Sequence, residues 1–178
     1  DPGGSHPQSV TVRRAQPADA RAIADVHVRT WQAAYRHAFP AELLDNLSVE
    51  EREVPWRERI EEGYVVWVAE SEGEIVGFAA VGPSRTEQDA GELYAIYVLP
   101  ESWGSGAAAD LMAEAKDWFA DEGYATAMLW VLADNPRARR FYEREGWRAE
   151  GTRIDTVRGT EVEEALYRIG AATRYETG

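Results

Sequence analysis

A glycine-containing turn joins an apolar, strand-like run to an amphipathic helix near the middle of the chain. The run over 93–99 stops at Pro100, the turn Trp103-Gly104-Ser105-Gly106 follows, and a helical pattern begins at Ala107. Such a turn places free backbone N–H groups and the positive end of a helix dipole at the end of a strand. The small side chains of Ala107 and Ala108 let a ligand approach the backbone. The pattern is typical of a phosphate-binding site, although most turns of this composition bind nothing.

Two common nucleotide-binding motifs do not match this turn. No Gly-Lys-Ser or Gly-Lys-Thr sequence follows it, which excludes a P-loop. Only two glycines occur, and Pro100 lengthens the turn, so the dinucleotide-binding fingerprint is also a poor match. The sequence therefore disfavours a nucleotide-phosphate protein of either class.

Residues 135–147 form a second cluster of candidate functional side chains. Asn135 and Pro136 are typical of a helix start. On that helix Asn135, Ala138, Arg139 and Tyr142 fall within a narrow arc of one face. A phenol with a pKa near 10 is suited to donating a proton to a leaving group. The alternative is that Phe141 and Tyr142 are ordinary core aromatics.

The charge balance and the absence of cysteine exclude several functions. The chain has 19 Lys and Arg residues against 32 Asp and Glu residues, a net charge of −13. This argues against nucleic-acid or anionic-membrane binding and is compatible with a cationic substrate such as an amine. Without cysteine there is no disulfide, zinc–thiolate site or covalent cysteine intermediate, and a reducing cytoplasm is expected. No apolar run approaches the roughly 20 residues of a membrane helix.

The 178 residues fit one domain, which we place at 10–170, with a tag remnant over 1–9 and a tail over 171–178. The order of patterns is strand, two or three helices, three strands, helix, strand, helix and two strands. It predicts an α/β fold whose mixed, mostly antiparallel sheet of about seven strands is flanked by helices. The predicted strands are 9–14, 64–70, 74–81, 92–99, 127–132, 147–155 and 160–168, and the predicted helices are 17–35, one from Pro40, 48–62, 107–121 and 136–145.

With these elements in place, the chain resembles the GNAT superfamily of acyl-CoA-dependent N-acyltransferases over about residues 10–170. The family's turn motif, Arg/Gln-x-x-Gly-x-Gly/Ala, is matched at Gly106 and Ala108, and residues 135–147 resemble its second cofactor motif. Trp103 stands where the family has Arg or Gln. A diphosphate is therefore expected to rest on backbone amides and the helix dipole, with the indole N–H as a further donor.

The resemblance implies an enzyme that moves an acetyl group from acetyl-CoA directly to an amine in a ternary complex. It implies that Tyr142 protonates the leaving thiolate and that backbone N–H groups at 96–98 polarise the thioester. Arg139 is expected to reach a phosphate, while Arg137 and Arg140 are expected to project elsewhere. The residues expected to bind acetyl-CoA are Ile96, Tyr97, Val98, Trp103, Gly104, Ser105, Gly106, Ala107, Ala108, Asn135, Ala138, Arg139 and Tyr142.

Glu92 is the candidate base, acting directly or through water, because some family members place a catalytic glutamate there. Alternation along the strand puts it on the face of Tyr94, a candidate substrate contact. The equally open alternative is an ordinary polar residue at a strand start. Trp31 and Tyr35 are candidate acceptor contacts, with plain packing as the alternative. The two other titratable candidates near neutral pH are His27, expected to pack on the inner face of its helix, and His37, expected in a loop. One of Glu161, Glu163 and Glu164 on the late strand could meet a cationic acceptor, with a solvated strand face as the favoured alternative.

The alternative function on the same fold is a non-catalytic acyl-CoA-binding or sensing module. The expected acceptor is a small-molecule or peptide amine, and we expect no metal, nucleic acid or membrane as a partner. The resemblance also implies a homodimer formed through the late strands.

Overall fold

A seven-stranded sheet with the order β1-β2-β3-β4-β5-β7-β6 forms the centre of the computed structural model, which describes residues 9–170. Only β4 and β5 are parallel neighbours, and every other pair is antiparallel. The mixed, mostly antiparallel sheet flanked by helices is thus confirmed. The strands are β1 Val10–Arg14, β2 Val65–Ser71, β3 Glu74–Pro83, β4 Ala90–Val98, β5 Thr126–Leu132, β6 Arg148–Val157 and β7 Thr160–Gly170. Apart from residue 9, the predicted tag remnant and the predicted tail lie outside the described residues.

In the described part of the chain, five α-helices pack around this sheet: α1 Ala20–Ala34, α2 Ala41–Asp45, α3 Val49–Glu61, α4 Ala107–Asp121 and α5 Pro136–Arg144. The first helix starts later than the predicted Pro17, because Pro17–Asp19 form a 3₁₀ turn. The side chain of Asp19 accepts the N–H of Gln16 there, at 2.7 Å. The predicted start of α3 is confirmed, since Ser48 Oγ accepts the N–H of Glu51 at 3.2 Å. In residues 9–170 no helix is both long and apolar enough to cross a bilayer.

The apolar faces of α1 and α4 cover the sheet and form the core. Ile23 and Val26 of α1 are fully buried, as are Leu111 and Met112 of α4. The 3.6-residue spacing of apolar side chains on α4 places them on the side that meets the sheet. This packing fixes the position of the turn that precedes α4.

The two parallel strands pair over only three residues each. Ala90–Glu92 lie beside Thr126–Met128, and beyond this point β4 stays paired with β3 while β5 stays paired with β7. A β-bulge at Tyr94, which has no register partner in β3, adds to the bend of β4. The sheet therefore opens into a V-shaped cleft between the C-terminal halves of β4 and β5.

Candidate active site

The cleft between β4 and β5 has a volume of about 1140 Å³, and the N-termini of α4 and α5 both open onto it. Its size suits a ligand larger than a typical small molecule. Of the predicted site residues, all except Ser105 and Arg139 line it. Those that do are Trp31, Tyr35, Glu92, Tyr94, Ile96, Tyr97, Val98, Trp103, Gly104, Gly106, Ala107, Ala108, Asn135, Ala138 and Tyr142. The fold thus brings together the two clusters that the sequence separates.

The glycine turn before α4 leaves its backbone open to the cleft. Gly104 and Gly106 have φ of 81° and 93°, a conformation that favours glycine. A Cβ atom added at either position would meet nothing within 4 Å. Gly106 is the N-cap of α4 and provides no side-chain cap. Among the described residues, the N–H of Ala107 alone in this first turn has a local acceptor, Ser105 Oγ at 3.3 Å. The remaining N–H groups of the first turn can donate to a phosphate.

Trp103 contributes to this site differently from the expectation. Its indole N–H donates to the carbonyl oxygen of Val98 at 2.9 Å and is therefore not free to bind a phosphate. The ring is 43 % exposed, and the guanidinium carbon of Arg137 lies 3.7 Å from its centroid. An arginine from another element thus stands beside a turn that has no cation of its own.

The orientation of α5 corrects the prediction for its arginines. Arg139 does not line the cleft, since its guanidinium donates to Tyr167 Oη at 3.0 Å and to the carbonyl oxygen of Ala133 at 2.9 Å. Arg137 and Arg140, which were expected to project elsewhere, line the cleft. Successive helix residues differ by about 100°, so Arg137 and Arg139 flank the cleft face that carries Ala138. One flank faces β7 and the other faces the turn before α4, and the sequence does not show which arginine lies on which flank.

Asn135 and Tyr142 lie on the cleft face of α5. Asn135 Oδ1 accepts the N–H of Ala138 at 3.2 Å and caps the helix. Tyr142 is 8 % exposed, and its hydroxyl has no hydrogen-bond partner among the described residues. Burial raises the pKa of the Tyr142 phenol well above its usual value, and the neighbouring Tyr97 raises it further. Burial likewise raises the pKa of Tyr35 and of Tyr97. All three phenols are therefore protonated at neutral pH.

Beyond its short pairing with β5, strand β4 presents unpaired N–H groups to the cleft. Leu99 N–H donates to the carbonyl oxygen of Val76 in β3, at 2.8 Å. Because N–H directions alternate along an antiparallel strand, Tyr97 N–H also faces β3, and those of Ile96 and Val98 face the cleft. Of the three predicted backbone donors, two are thus placed to polarise a carbonyl there.

Glu92 is buried in the cleft wall and bound to Arg85, a residue that the sequence pattern did not single out. The residue is 1 % exposed. One carboxylate oxygen accepts the backbone N–H of Arg85 at 3.0 Å, and the other accepts its Nη2 at 2.6 Å. The Arg85 guanidinium also lies over the Tyr94 ring, 4.8 Å from the centroid, while the Tyr94 hydroxyl donates to the carbonyl of Pro83. A basic residue in the hairpin loop before a strand-start glutamate was the available signal for this pair.

Aromatic and charged side chains also wall the cleft. The Trp31 indole N–H donates to Tyr97 Oη at 3.3 Å. Arg153 lies over the Trp130 ring at 3.8 Å and binds Glu164 at 2.9 Å. Partial burial raises the pKa of Glu164. Of the three late-strand glutamates, Glu164 lines the cleft.

The two histidines on the first helix and its following loop have structural partners. His27 Nδ1 accepts the indole N–H of Trp56 at 3.3 Å, and burial lowers the pKa of its imidazole to about 4. His37 lines the cleft, and its Nε2 lies 2.6 Å from the carbonyl oxygen of Asp134. His37 therefore links the loop after α1 to the loop before α5. Within residues 9–170 no three acidic or histidine side chains are grouped as a metal site.

Comparison with known proteins identifies the family. Residues 21–147 match the model of the acetyltransferase (GNAT) family. The chain belongs to the GNAT family. This GNAT protein is 40 % identical over 130 residues to YuaI, an uncharacterised N-acetyltransferase of Bacillus subtilis, covering 71 % of this chain and 74 % of YuaI. The present chain is therefore an N-acetyltransferase.

Solved structures of this family share the fold. A GNAT family member from Desulfovibrio desulfuricans has a TM-score of 0.70 and 25 % identity, covering 92 % of this chain and all of the other. The yncA protein of Salmonella typhimurium, solved with acetyl-CoA, has a TM-score of 0.71 and 20 % identity, covering 93 % and 96 %. Acetyl-CoA is the cosubstrate of the family, and the open glycine turn and the unpaired N–H groups of β4 in this GNAT protein suit its diphosphate and thioester.

Proposed function

We propose that this N-acetyltransferase transfers the acetyl group of acetyl-CoA directly to an amine held in the same cleft. The observation that carries the proposal is the convergence, in one cleft, of the open glycine turn, the unpaired N–H groups of β4 and the unpartnered hydroxyl of Tyr142. The chain contains no cysteine that could form an acyl-enzyme. A ternary complex is the mechanism that this set of groups supports.

Acetyl-CoA supplies an activated acyl group whose leaving group is a thiolate. The N–H groups of Ile96 and Val98 stabilise negative charge on the thioester oxygen. Asn135 and Ala138 contact the pantetheine arm, and the first turn of α4 binds the diphosphate. Each of these groups is fixed by the backbone or by a cap, so little reorganisation is required when the substrate binds.

Proton transfer divides between two residues on opposite sides of the cleft. Tyr142 gives its proton to the departing thiolate, because its raised pKa keeps the phenol protonated and its hydroxyl has no competing partner. Glu92 takes a proton from the amine, directly or through water. Arg85 donates three hydrogen bonds to the Glu92 carboxylate. They orient it and leave one lone-pair position, on the oxygen that accepts the backbone N–H, for the amine or a water.

The acceptor is a small-molecule or peptide amine that enters beside Trp31, Tyr35 and Tyr94. These aromatic side chains line the cleft. Glu92 and Glu164 line the same cleft and are paired with Arg85 and Arg153, so their carboxylate oxygens offer the amine hydrogen-bond acceptors without net negative charge.

Two measurements on the purified protein test the proposal. Thermal unfolding is followed with excess acetyl-CoA and with ATP or NAD as controls, and a ligand at about 100 times its Kd is expected to stabilise the native state by about 2.7 kcal/mol. Thiol release is then measured with a panel of amines. Stabilisation by acetyl-CoA together with amine-dependent thiol release supports the proposal. Binding without thiol release for any amine would instead indicate a non-catalytic acyl-CoA-binding module.

A further inference from the structure

The turn that is proposed to hold the diphosphate carries no positive side chain. Between Pro100 and Ala109 the only charged residue is Glu101, and it is paired with Arg29. A diphosphate carries two negative charges, and backbone N–H groups with a helix dipole supply only partial positive charge. A cation from elsewhere in the fold would complete the site.

Arg137 is the arginine that the fold places beside this turn. Its guanidinium carbon lies 3.7 Å from the centroid of the Trp103 ring, which is a stacking distance. Trp103 directly precedes Gly104, and all three residues line the cleft. The stacked pair therefore stands at the edge of the open backbone of the turn.

Two features suit Arg137 to bind a ligand rather than the protein. The Trp103 ring is held by the hydrogen bond from its indole N–H to Val98, so the surface under the guanidinium is fixed. Stacking uses the face of the guanidinium and leaves its in-plane N–H groups available. Within residues 9–170 Arg137 forms no ion pair, whereas Arg139 is bound to Tyr167 and Ala133.

We propose that Arg137, stacked on Trp103, binds the diphosphate of CoA and supplies the cation that the turn lacks. This inference rests on the proposed function, because it assumes that acetyl-CoA occupies the cleft. Trp103 is then a platform for the arginine and does not contact the phosphate through its indole N–H. The diphosphate is bound by N–H groups of α4 on one side and by a side chain of α5 on the other.

Calorimetric titration of CoA into the intact protein and its variants tests this inference. Arg137→Gln is expected to raise the Kd by about 10- to 100-fold, the range for losing a charge-assisted hydrogen bond. Its Kd should also depend less on salt concentration than that of the unsubstituted protein. Arg148→Gln makes the same change of charge on β6, outside the cleft, and is expected to leave the Kd within about 2-fold, as for a screened surface charge.

Trp103 variants test the platform itself. Trp103→Phe keeps a ring and is expected to bind CoA more tightly than Trp103→Leu, which removes it. If the two residues act as a unit, Trp103→Leu combined with Arg137→Gln should be no weaker than Arg137→Gln alone. If the losses of CoA affinity in the two single variants add fully in the double variant, the role of Trp103 as a platform for Arg137 is overturned.

Dephospho-CoA, which lacks the 3′-phosphate but keeps the diphosphate, separates the two phosphate sources. If Arg137→Gln weakens the binding of CoA and of dephospho-CoA to a similar extent, the result supports a contact with the diphosphate. If it weakens the binding of CoA alone, the result overturns the diphosphate contact in favour of one with the 3′-phosphate. An Arg137→Gln protein that binds CoA as tightly as Arg148→Gln would also refute the inference. If the unsubstituted protein binds no CoA, the proposed function itself fails, which is a different result.

Discussion

Replacing Tyr142 with phenylalanine separates catalysis from binding and folding. The Tyr142 hydroxyl has no hydrogen-bond partner among the described residues, while its ring packs against Trp147 and Tyr167. The substitution keeps the aromatic ring and leaves no hydrogen-bond donor or acceptor without a partner. We therefore expect the free energy of unfolding to change by no more than about 0.5 kcal/mol, and the Kd for acetyl-CoA to stay within about 2-fold.

The rate of acetyl transfer should fall much more. A positioned general acid contributes about 10²- to 10⁴-fold, which corresponds to about 2.7–5.4 kcal/mol of transition-state stabilisation. Burial raises the pKa of this phenol above its ordinary value. The hydroxyl is consequently protonated across the neutral range, and the factor lost in Tyr142→Phe should be nearly independent of pH.

Single-turnover thiol release with an amine that the unsubstituted protein accepts is the appropriate assay, because product release does not mask the chemical step. Tyr124→Phe is the matched control, since this phenol packs against Phe119 and does not line the cleft. A Tyr142→Phe rate within about 2-fold of the unsubstituted rate would refute the assignment of the general acid. A large rate loss with equally weakened acetyl-CoA binding would assign Tyr142 to binding.

Three further predictions test the ion pair, the buried histidine and a helix cap. Arg85→Ala is expected to lower the free energy of unfolding in urea by on the order of 3 kcal/mol, because Glu92 would stay buried without its guanidinium partner. Glu92→Gln should lower it less, because the Arg85 side chain is 66 % exposed and is hydrated when released. His27 has a pKa of about 4 in the folded chain and an ordinary value of 6.5, so the unfolded chain binds a proton first as the pH falls. The free energy of unfolding should therefore drop by about 2 kcal/mol between about pH 7.5 and about pH 5. This drop should be absent in His27→Gln. Ser48→Ala removes the acceptor for Glu51 N–H and should cost about 1 kcal/mol of unfolding free energy without changing thiol release.

Each of these predictions has its own control. Equal losses of unfolding free energy in Arg85→Ala and Glu92→Gln would contradict the argument that the buried Glu92 depends on Arg85 more than the exposed Arg85 depends on Glu92. For His27, glutamine keeps an acceptor near the Trp56 indole, so an unchanged pH slope would show that another group titrates in that range. Ser48→Thr retains the capping oxygen and is expected to recover most of the stability lost in Ser48→Ala.

Local patterns in the sequence predicted the elements because local interactions set them. The apolar spacing on α4, the capping serine before α3 and the proline after Asn135 each act within a few residues of the chain. The sequence also placed Asn135, Ala138, Arg139 and Tyr142 on one face of α5. The structure turns Asn135, Ala138 and Tyr142 to the cleft, whereas Arg139 binds Tyr167.

Contacts between distant segments were decided only by the tertiary structure. The sequence predicted that Arg139 reaches the cofactor and that Arg137 projects elsewhere, but the packing of α5 between β7 and the α4 turn assigns Arg139 to Tyr167 and Arg137 to Trp103. The indole N–H of Trp103 likewise bonds to Val98 because the turn folds back over the end of β4. Side chains on opposite flanks of a helix are equivalent until its neighbours are in place. The sequence by itself therefore determined which residues could do chemistry, and the fold determined which of them meet, because that depends on how the separated elements pack.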